Sequence, residues 1–135
     1  MRSPREILEK MRGLAAAVPT TRAAGQAAED AALHYLQRQG LRLVARNWRT
    51  PGRGGGEIDL IVQEADGTVV FVEVRQRRRA DHGGAGGSIG AVKQRRIVLA
   101  ARHWLAQQPR LPPCRFDAVL LEPEIRWLKA AFDAE

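Results

Sequence analysis

Two neighbouring runs of apolar residues in the middle of this 135-residue chain constrain its fold more than any other feature. Residues 57–63 alternate between apolar and polar side chains, which predicts a β-strand with one face in a core. Residues 68–74 are rich in β-branched side chains and predict a second strand. The intervening residues 65–67, Ala-Asp-Gly, are typical of a hairpin loop in which Gly67 adopts the left-handed conformation. The centre of the fold is therefore predicted to be an antiparallel hairpin.

The register of this hairpin brings two acidic residues together. The first strand is predicted to carry on one face Ile58, Leu60 and Val62, and on the other face Glu57, Asp59 and Ile61. If Glu64 pairs with Thr68, Asp59 lies directly opposite Glu73, and such neighbours have Cβ atoms about 4.5–5.5 Å apart. A four-residue loop would move the two acids out of opposition.

Asp59 and Glu73 lie within apolar strands, where two facing carboxylates repel each other and lose hydration. Either one of them is protonated or both are shared by a cation. Mg²⁺ prefers a few carboxylates together with water and phosphate oxygens, so a divalent metal held by Asp59 and Glu73 is one interpretation. A metal in that position activates water and neutralises charge on a phosphodiester. The other interpretation is a solvated sheet face with two ordinary acids.

The flanking segments predict helices and strands around this hairpin. The expected elements are a helix over residues 22–39, a strand over 41–49, a helix from 88 or 90 to 108, a strand over 114–121 and a short strand over 125–129. Glu29 in the first helix lies towards the core side or its rim and could join the metal through a water. Arg115 and Asp117 predict a structural ion pair near a strand start. Residues 21–135 predict a single domain, and residues 1–20 predict a separate helical arm with the stripe Ile7, Met11, Leu14 and Val18.

The chain is basic, with 22 Lys and Arg residues against 15 Asp and Glu and a net charge of +7. Only Lys10, Lys93 and Lys129 are lysines, a bias that either a nucleic-acid partner or a GC-rich genome can produce. Several basic residues follow the second hairpin strand or lie on the next helix, namely Arg75, Arg77, Arg78, Arg79, Lys93, Arg95, Arg96 and Arg102. This placement predicts a phosphate-binding rim beside the acids, and the alternative is a solvated basic face.

The composition also bears on the compartment. The single cysteine, Cys114, excludes an internal disulfide framework and is typical of a reducing cytosol. No apolar run approaches the roughly 20 residues that span a bilayer, and the apolar stretch at 14–18 is too short for a signal peptide. We therefore expect a cytoplasmic protein without a membrane partner.

The motifs around both acids resemble those of the YraN-like family of uncharacterised bacterial proteins. These motifs are Gly-Glu-Ile-Asp-Leu-Ile at residues 56–61 and Val-Phe-Val-Glu-Val-Arg at residues 70–75. Further matches follow the family's order and comprise the helix with Glu29, the triplet Asn47-Trp48-Arg49, Lys93 and the triplet Arg115-Phe116-Asp117. The resemblance extends from about residue 21 to the C-terminus and leaves out the N-terminal arm.

That family is similar in turn to the restriction-endonuclease-like superfamily, which includes Holliday-junction resolvases and tRNA-splicing endonucleases. The resemblance implies an α/β fold with an αβββαβ core, whose central mixed sheet is flanked by helices. It also implies metal-dependent cleavage of DNA or RNA, with Mg²⁺ or Mn²⁺ held by Asp59, Glu73 and Glu29. Junction-cleaving relatives need two active sites, which would suit a homodimer.

Arg75 occupies the position at which the superfamily pattern has lysine. Arginine has a pKa above about 12 and cannot act as a general base at neutral pH, although it can clamp a phosphate and stabilise charge in the transition state. Lys93, on the next helix, could reach the site and substitute. The chain is thus either a nuclease with Arg75 on the scissile phosphate or an inactive nuclease scaffold that binds nucleic acid. A protein-interaction domain with genome-driven basicity is the third hypothesis.

Overall fold

A five-stranded sheet is the framework of the computed structural model, which describes residues 3–6, 21–52, 55–76, 89–122 and 124–134. The elements, in chain order, are α1 (Thr21–Arg38), β1 (Arg42–Arg49), β2 (Glu57–Gln63), β3 (Val69–Arg75), α2 (Ala91–Ala106), β4 (Cys114–Leu120) and β5 (Arg126–Phe132). Every element predicted from residue 21 onward is present, and the last strand extends three residues beyond its predicted end.

The strands lie in the order β1-β2-β3-β4-β5. β3 and β4 are parallel, whereas the other neighbouring pairs are antiparallel. A parallel pair needs a crossover connection, and α2 lies in the segment that joins β3 to β4. The predicted α/β fold with an αβββαβ core and a central mixed sheet is therefore confirmed, and β5 adds one antiparallel strand to it.

The hairpin of β2 and β3 has the predicted register. Gln63 pairs with Val69 and Leu60 pairs with Val72. In the loop, the Glu64 N–H donates to the Thr68 carbonyl at 2.9 Å, and Gly67 has a φ of 95°. The three-residue loop is therefore confirmed, and its register, continued one residue past the Leu60–Val72 pair, places Asp59 opposite Glu73.

Two apolar cores form, one on each face of the sheet. The core beneath α1 contains Ala32, Leu36, Leu41, Leu60, Val62, Val70, Val72 and Val119. The core beneath α2 contains Ile58, Ile61, Val69, Phe71, Ile89, Ile97, Val98, Ala100, Ala101, Trp104, Phe116 and Ala118. Because helices cover both faces, the central strands read as nearly continuous apolar runs. An acid within these strands is buried unless it lies at a strand end.

The prediction that Ile58 shares a face with Leu60 is wrong. Ile58 packs beneath α2, whereas Leu60 packs beneath α1. On the neighbouring strand β1, Asn47 has a φ of 52° and lies, by register, opposite Asp59. Asparagine is among the few residues that tolerate this left-handed conformation, which interrupts the regular pleat. The interruption coincides with the point where the alternation of β2 fails.

Asp117 is fully buried in β4, and its carboxylate accepts hydrogen bonds from β4 and β5. Its Oδ1 accepts hydrogen bonds from Arg115 Nε at 3.0 Å and from the Ala130 N–H at 2.9 Å, and its Oδ2 accepts one from Trp127 Nε1 at 2.9 Å. Arg115 also donates to both carboxylate oxygens of Glu64, each at 2.9 Å, and these bonds lower the pKa of Glu64. The predicted ion pair of Arg115 and Asp117 is confirmed, and it ties β4 to β5 and to the β2–β3 loop.

The predicted N-terminal arm is described only at residues 3–6. There the Glu6 N–H donates to Ser3 Oγ at 3.2 Å, and the Ser3 N–H donates to Glu6 Oε2 at 3.1 Å. This reciprocal pair is a capping box, which begins a helical turn. The predicted stripe of Ile7, Met11, Leu14 and Val18 lies outside the described residues. Within the described ranges, no helix combines the length and the apolar character needed to cross a bilayer.

We expect Asp117→Ala to lower the free energy of unfolding by about 3–5 kcal/mol, because it leaves Arg115 and two N–H donors without their buried partner. Urea unfolding followed by circular dichroism measures the change. The control Asp133→Ala alters an exposed acid and should change the value by less than about 0.5 kcal/mol. Equal, small effects of both substitutions would contradict a structural role for Asp117.

Candidate metal centre

Four acidic side chains come together at the end of the sheet where β2 begins and β3 ends. Helix α1 contributes Glu29, β2 contributes Glu57 and Asp59, and β3 contributes Glu73. One carboxylate oxygen from each of Glu29, Glu57 and Asp59 lies within 4.8 Å of the other two. Sequence reasoning did not single out Glu57 as a ligand, although its position two residues before Asp59 on the same strand was a signal.

Asp59 is held at the centre of this group by the backbone of β3. Its Oδ2 accepts a hydrogen bond from the Val74 N–H at 2.9 Å. Burial, together with the negative charges of Glu73 and Glu29, raises the pKa of Asp59 to about 7. The carboxylate of Asp59 is therefore costly to ionise at neutral pH unless a cation accompanies it.

Glu73 is 4% exposed and is paired with a lysine from the other side of the cleft. Lys93 Nζ, on the first turn of α2, lies 2.6 Å from Glu73 Oε1. Burial raises the pKa of Glu73, while the charges of Lys93 and Arg75 oppose that shift. The structure therefore brings all three predicted acids, Glu29, Asp59 and Glu73, to one place, with Glu73 already neutralised by Lys93.

An open cleft of about 520 Å³ lies against three acids of this site, Glu57, Asp59 and Glu73. Its walls consist of Gly55, Gly56, Glu57, Asp59, Glu73, Val92, Lys93, Arg96 and Ile97. Acids form one side, and Lys93 and Arg96 on the first two turns of α2 form the other. The cleft is within the usual size range of small-ligand sites, about 300–1,000 Å³. Two of the predicted phosphate-binding residues thus line the same cleft as the acids.

The remaining predicted phosphate-binding residues divide into three groups. Arg75 ends β3, and its charge acts on Glu73. Arg95 and Arg102 do not line the cleft of the acids but a separate cavity along α2. Arg77, Arg78 and Arg79 lie outside the described residues. Three residues of the predicted rim therefore lie near the acids, namely Arg75, Lys93 and Arg96.

Gly56 allows β2 to start close against α2. A Cβ atom at this position would lie 2.2 Å from the Arg96 carbonyl oxygen and 2.7 Å from its carbonyl carbon. Both are backbone atoms and cannot swing aside as a side chain can. Glycine at position 56 therefore allows the close approach that sets the width of the cleft between Glu57 and the first turns of α2.

Fold and cleft together define an α/β protein with a cleft that is acidic on one wall and basic on the other. Residues 28–121 match the model of the uncharacterised protein family UPF0102. The chain therefore belongs to this family, which is the YraN-like family that its motifs predicted.

Similar UPF0102 proteins cover nearly the whole chain. The protein of Paracidovorax citrulli strain AAC00-1 is 65% identical over 132 residues, which are 95% of this chain and 98% of the relative. The protein of Acidovorax sp. strain JS42 is 67% identical over 116 residues, which are 85% of this chain and 88% of the relative. The similarity thus includes both helices and the sheet that carry the cleft.

We expect Gly56→Ala to lower the free energy of unfolding by about 1–3 kcal/mol, because the added methyl group overlaps the Arg96 backbone and must displace β2 or α2. The matched control is Gly25→Ala in α1, where a Cβ atom meets no heavy atom within 4 Å. That substitution should raise stability by about 0.5–1 kcal/mol, since alanine favours a helix interior over glycine. Urea unfolding measures both, and a neutral Gly56→Ala would contradict the close approach.

The raised pKa of Asp59 makes stability depend on pH in a defined direction. In the unfolded chain this carboxyl ionises near pH 4, whereas in the folded protein it ionises at about pH 7. Its contribution is therefore fully present below about pH 4 and is lost as the pH rises to about 7. We expect the metal-free wild type to lose stability relative to Asp59→Asn across this window. Urea unfolding at intervals between pH 4 and pH 8 measures it, and parallel profiles would contradict the shift.

Proposed function

We propose that this protein is a metal-dependent nuclease that hydrolyses phosphodiester bonds in DNA or RNA. The observation that carries the proposal is the meeting of the half-buried Asp59 and the buried Glu73 with Lys93 and Arg96 in one cleft. Acids suit a divalent cation, and neighbouring basic groups suit a phosphate. The resemblance of the hairpin and the first helix to nuclease motifs supports the same reaction class.

The donor set fits a hard divalent cation such as Mg²⁺ or Mn²⁺. Glu29, Glu57 and Asp59 offer oxygen atoms close enough to share one ion. The proposed ligands are Asp59, Glu73 and Glu29, with Glu57 as an additional candidate. When bound, the metal supplies Lewis-acid activation of water and neutralises charge on the phosphate.

The chain's own basic residues bind and orient the phosphate in this proposal. Arg75 contacts the scissile phosphate through charge and hydrogen bonds alone, because a guanidinium stays protonated at neutral pH. Lys93 brings an ammonium group to Glu73 from a different element and is our candidate for the role of the superfamily's lysine. Arg96 lines the same cleft, and Arg77, Arg78 and Arg79 would extend the phosphate-binding surface along the chain after β3.

The presence of arginine instead of lysine at position 75 also favours a second function, nucleic-acid binding by a scaffold that has lost catalysis. The site would then keep its basic rim while lacking a lysine at the position that the superfamily uses. Such a module binds without metal, and its affinity falls steeply with salt concentration.

The proposal extends to assembly and location. A homodimer would present two clefts to one branched substrate, as junction cleavage requires. Cys114, at the start of β4, is an exposed free thiol, which suits the reducing cytoplasm.

A cleavage panel of branched DNA, linear duplex, single-stranded DNA and RNA, with Mg²⁺ or Mn²⁺, tests the proposal. We expect at least one substrate to be cut only in the presence of metal. Asp59→Ala and Glu73→Ala should each lower the rate by about 10²–10³-fold, the usual effect of removing a group that stabilises the transition state. Asp133→Ala, which alters an exposed acid away from this cleft, serves as the control. Cleavage that survives a chelator or Asp59→Ala would contradict the assignment.

The same panel separates the active nuclease from the inactive scaffold. For the nuclease we expect Lys93→Met to lower the rate by about 10²–10³-fold at similar substrate affinity. For the scaffold, the wild type binds without cutting, and Arg75→Lys introduces cleavage at unchanged affinity. Filter binding at several salt concentrations provides the affinities. A chain without salt-dependent binding would instead be the protein-interaction domain.

A further inference from the structure

Strand β1 carries two arginines that each bind one acid of the carboxylate cluster, which consists of Glu29, Glu57, Asp59 and Glu73. Arg46 Nε lies 3.3 Å from Glu29 Oε1, and Arg49 Nε lies 3.2 Å from Glu57 Oε2. Neither arginine lines the cleft. Their charges therefore act on the acids from behind, away from the surface at which a phosphate would bind.

Arg46 differs from Arg49 in the number of its contacts and in its burial. Its other nitrogens bind α1 as well, with Nη1 at 2.6 Å from Asp30 Oδ1 and Nη2 donating to the Gln26 carbonyl at 3.1 Å. The side chain of Arg46 is 27% exposed, whereas that of Arg49 is 77% exposed. One guanidinium thus joins three acceptors of α1 to the strand beside β2.

The contact with Arg46 determines where the Glu29 carboxylate can lie. The side chain of Glu29 is 14% exposed, and its oxygen is within 4.8 Å of oxygens of Glu57 and Asp59. Without a fixed cation behind it, the Glu29 side chain would turn towards solvent, since three clustered carboxylates repel one another. Arg46 supplies a positive charge at Glu29 that opposes this repulsion.

We propose that Arg46 is a positioning residue that holds Glu29 in the carboxylate cluster and thereby sets the affinity of the site for a divalent metal. This inference rests on the proposed metal site. Residues that orient metal ligands typically change metal affinity by about 10–100-fold when they are replaced.

Two effects of removing Arg46 oppose each other, and their sizes decide the direction. Losing a positive charge near the site favours cation binding, whereas losing the fixed Glu29 removes a ligand. The Arg46 side chain is 27% exposed, so solvent screens the effect of its charge at the metal position, whereas nothing replaces a lost ligand. Loss of the ligand therefore dominates, and replacing Arg46 weakens metal binding.

Mn²⁺ binding to the metal-free protein, followed by the electron paramagnetic resonance signal of free Mn²⁺, tests this inference without any substrate. We expect Arg46→Met to weaken Mn²⁺ binding by about 10–100-fold. In a Glu29→Gln background the same substitution should change binding by less than about threefold, because the ligand that it positions is gone. Arg49→Met is the matched control and should also stay within about threefold, since exposed ion pairs contribute little.

The conservative variant Arg46→Lys distinguishes positioning from charge. Lysine keeps the charge but cannot reach Glu29, Asp30 and Gln26 together, so we expect it to leave most of the loss in place. Full recovery of Mn²⁺ affinity in Arg46→Lys would overturn the inference. So would wild-type Mn²⁺ affinity in Arg46→Met, or an equal loss of affinity in Arg49→Met. An undiminished effect of Arg46→Met in the Glu29→Gln background would overturn it as well. Urea unfolding of each variant in the absence of metal identifies any loss caused by unfolding, which would likewise count against positioning.

The outcome for the wild type separates this inference from the proposed function. If Asp59→Ala weakens the Mn²⁺ binding of the wild type and Arg46→Met leaves it unchanged, the role of Arg46 is overturned and the metal site stands. Wild-type protein that binds no Mn²⁺ would overturn both.

Discussion

The placement of two carboxylates, the half-buried Asp59 and the buried Glu73, at one end of the β2–β3 hairpin is the constraint to which the surrounding structure responds. The hairpin register, continued past Leu60 and Val72, places Asp59 opposite Glu73, and helices on both faces cover the strands. Ionised acids in such a position lose more hydration than mutual contacts return, so each needs a compensating partner. The charged residues of the neighbouring elements are placed accordingly.

Each neighbouring element supplies part of that compensation. Helix α2 brings Lys93 to Glu73, β3 donates the Val74 N–H to Asp59, and β1 sends Arg46 to Glu29. Asp59 retains a pKa of about 7 despite these partners, because its burial and the charges of Glu73 and Glu29 outweigh them. A protein that needed only stability would gain by replacing such an acid with an apolar residue. Retaining it is consistent with a site prepared for a cation.

Strand β4 shows how the same chain treats a buried acid that has only a structural task. Asp117 is fully buried, yet Arg115, Trp127 and the Ala130 N–H satisfy its carboxylate. The contrast between a satisfied acid and an undersatisfied one separates fold from candidate function more clearly than burial alone.

Much of the candidate site was predictable because it depends on local rules. A three-residue loop determines a register, and that register is enough to bring Asp59 and Glu73 together before any tertiary contact is known. The sequence also indicated that Lys93, on the helix after β3, could reach the site, and the structure shows it at Glu73. The change of face at Ile58 was not predictable, since it depends on a left-handed Asn47 in another strand.

By itself, the sequence determined the element order, the hairpin register and the acids that meet there, because periodicity and turn chemistry act over a few residues. Only the tertiary structure decided which cations accompany those acids. Arg46 and Glu29 are distant along the chain, as are Lys93 and Glu73, and nothing in local spacing links them. The tertiary structure also decided the close backbone approach at Gly56 and the place of Glu57 in the carboxylate cluster. Contacts between elements depend on how helices pack onto the sheet, and that packing is a property of the whole core.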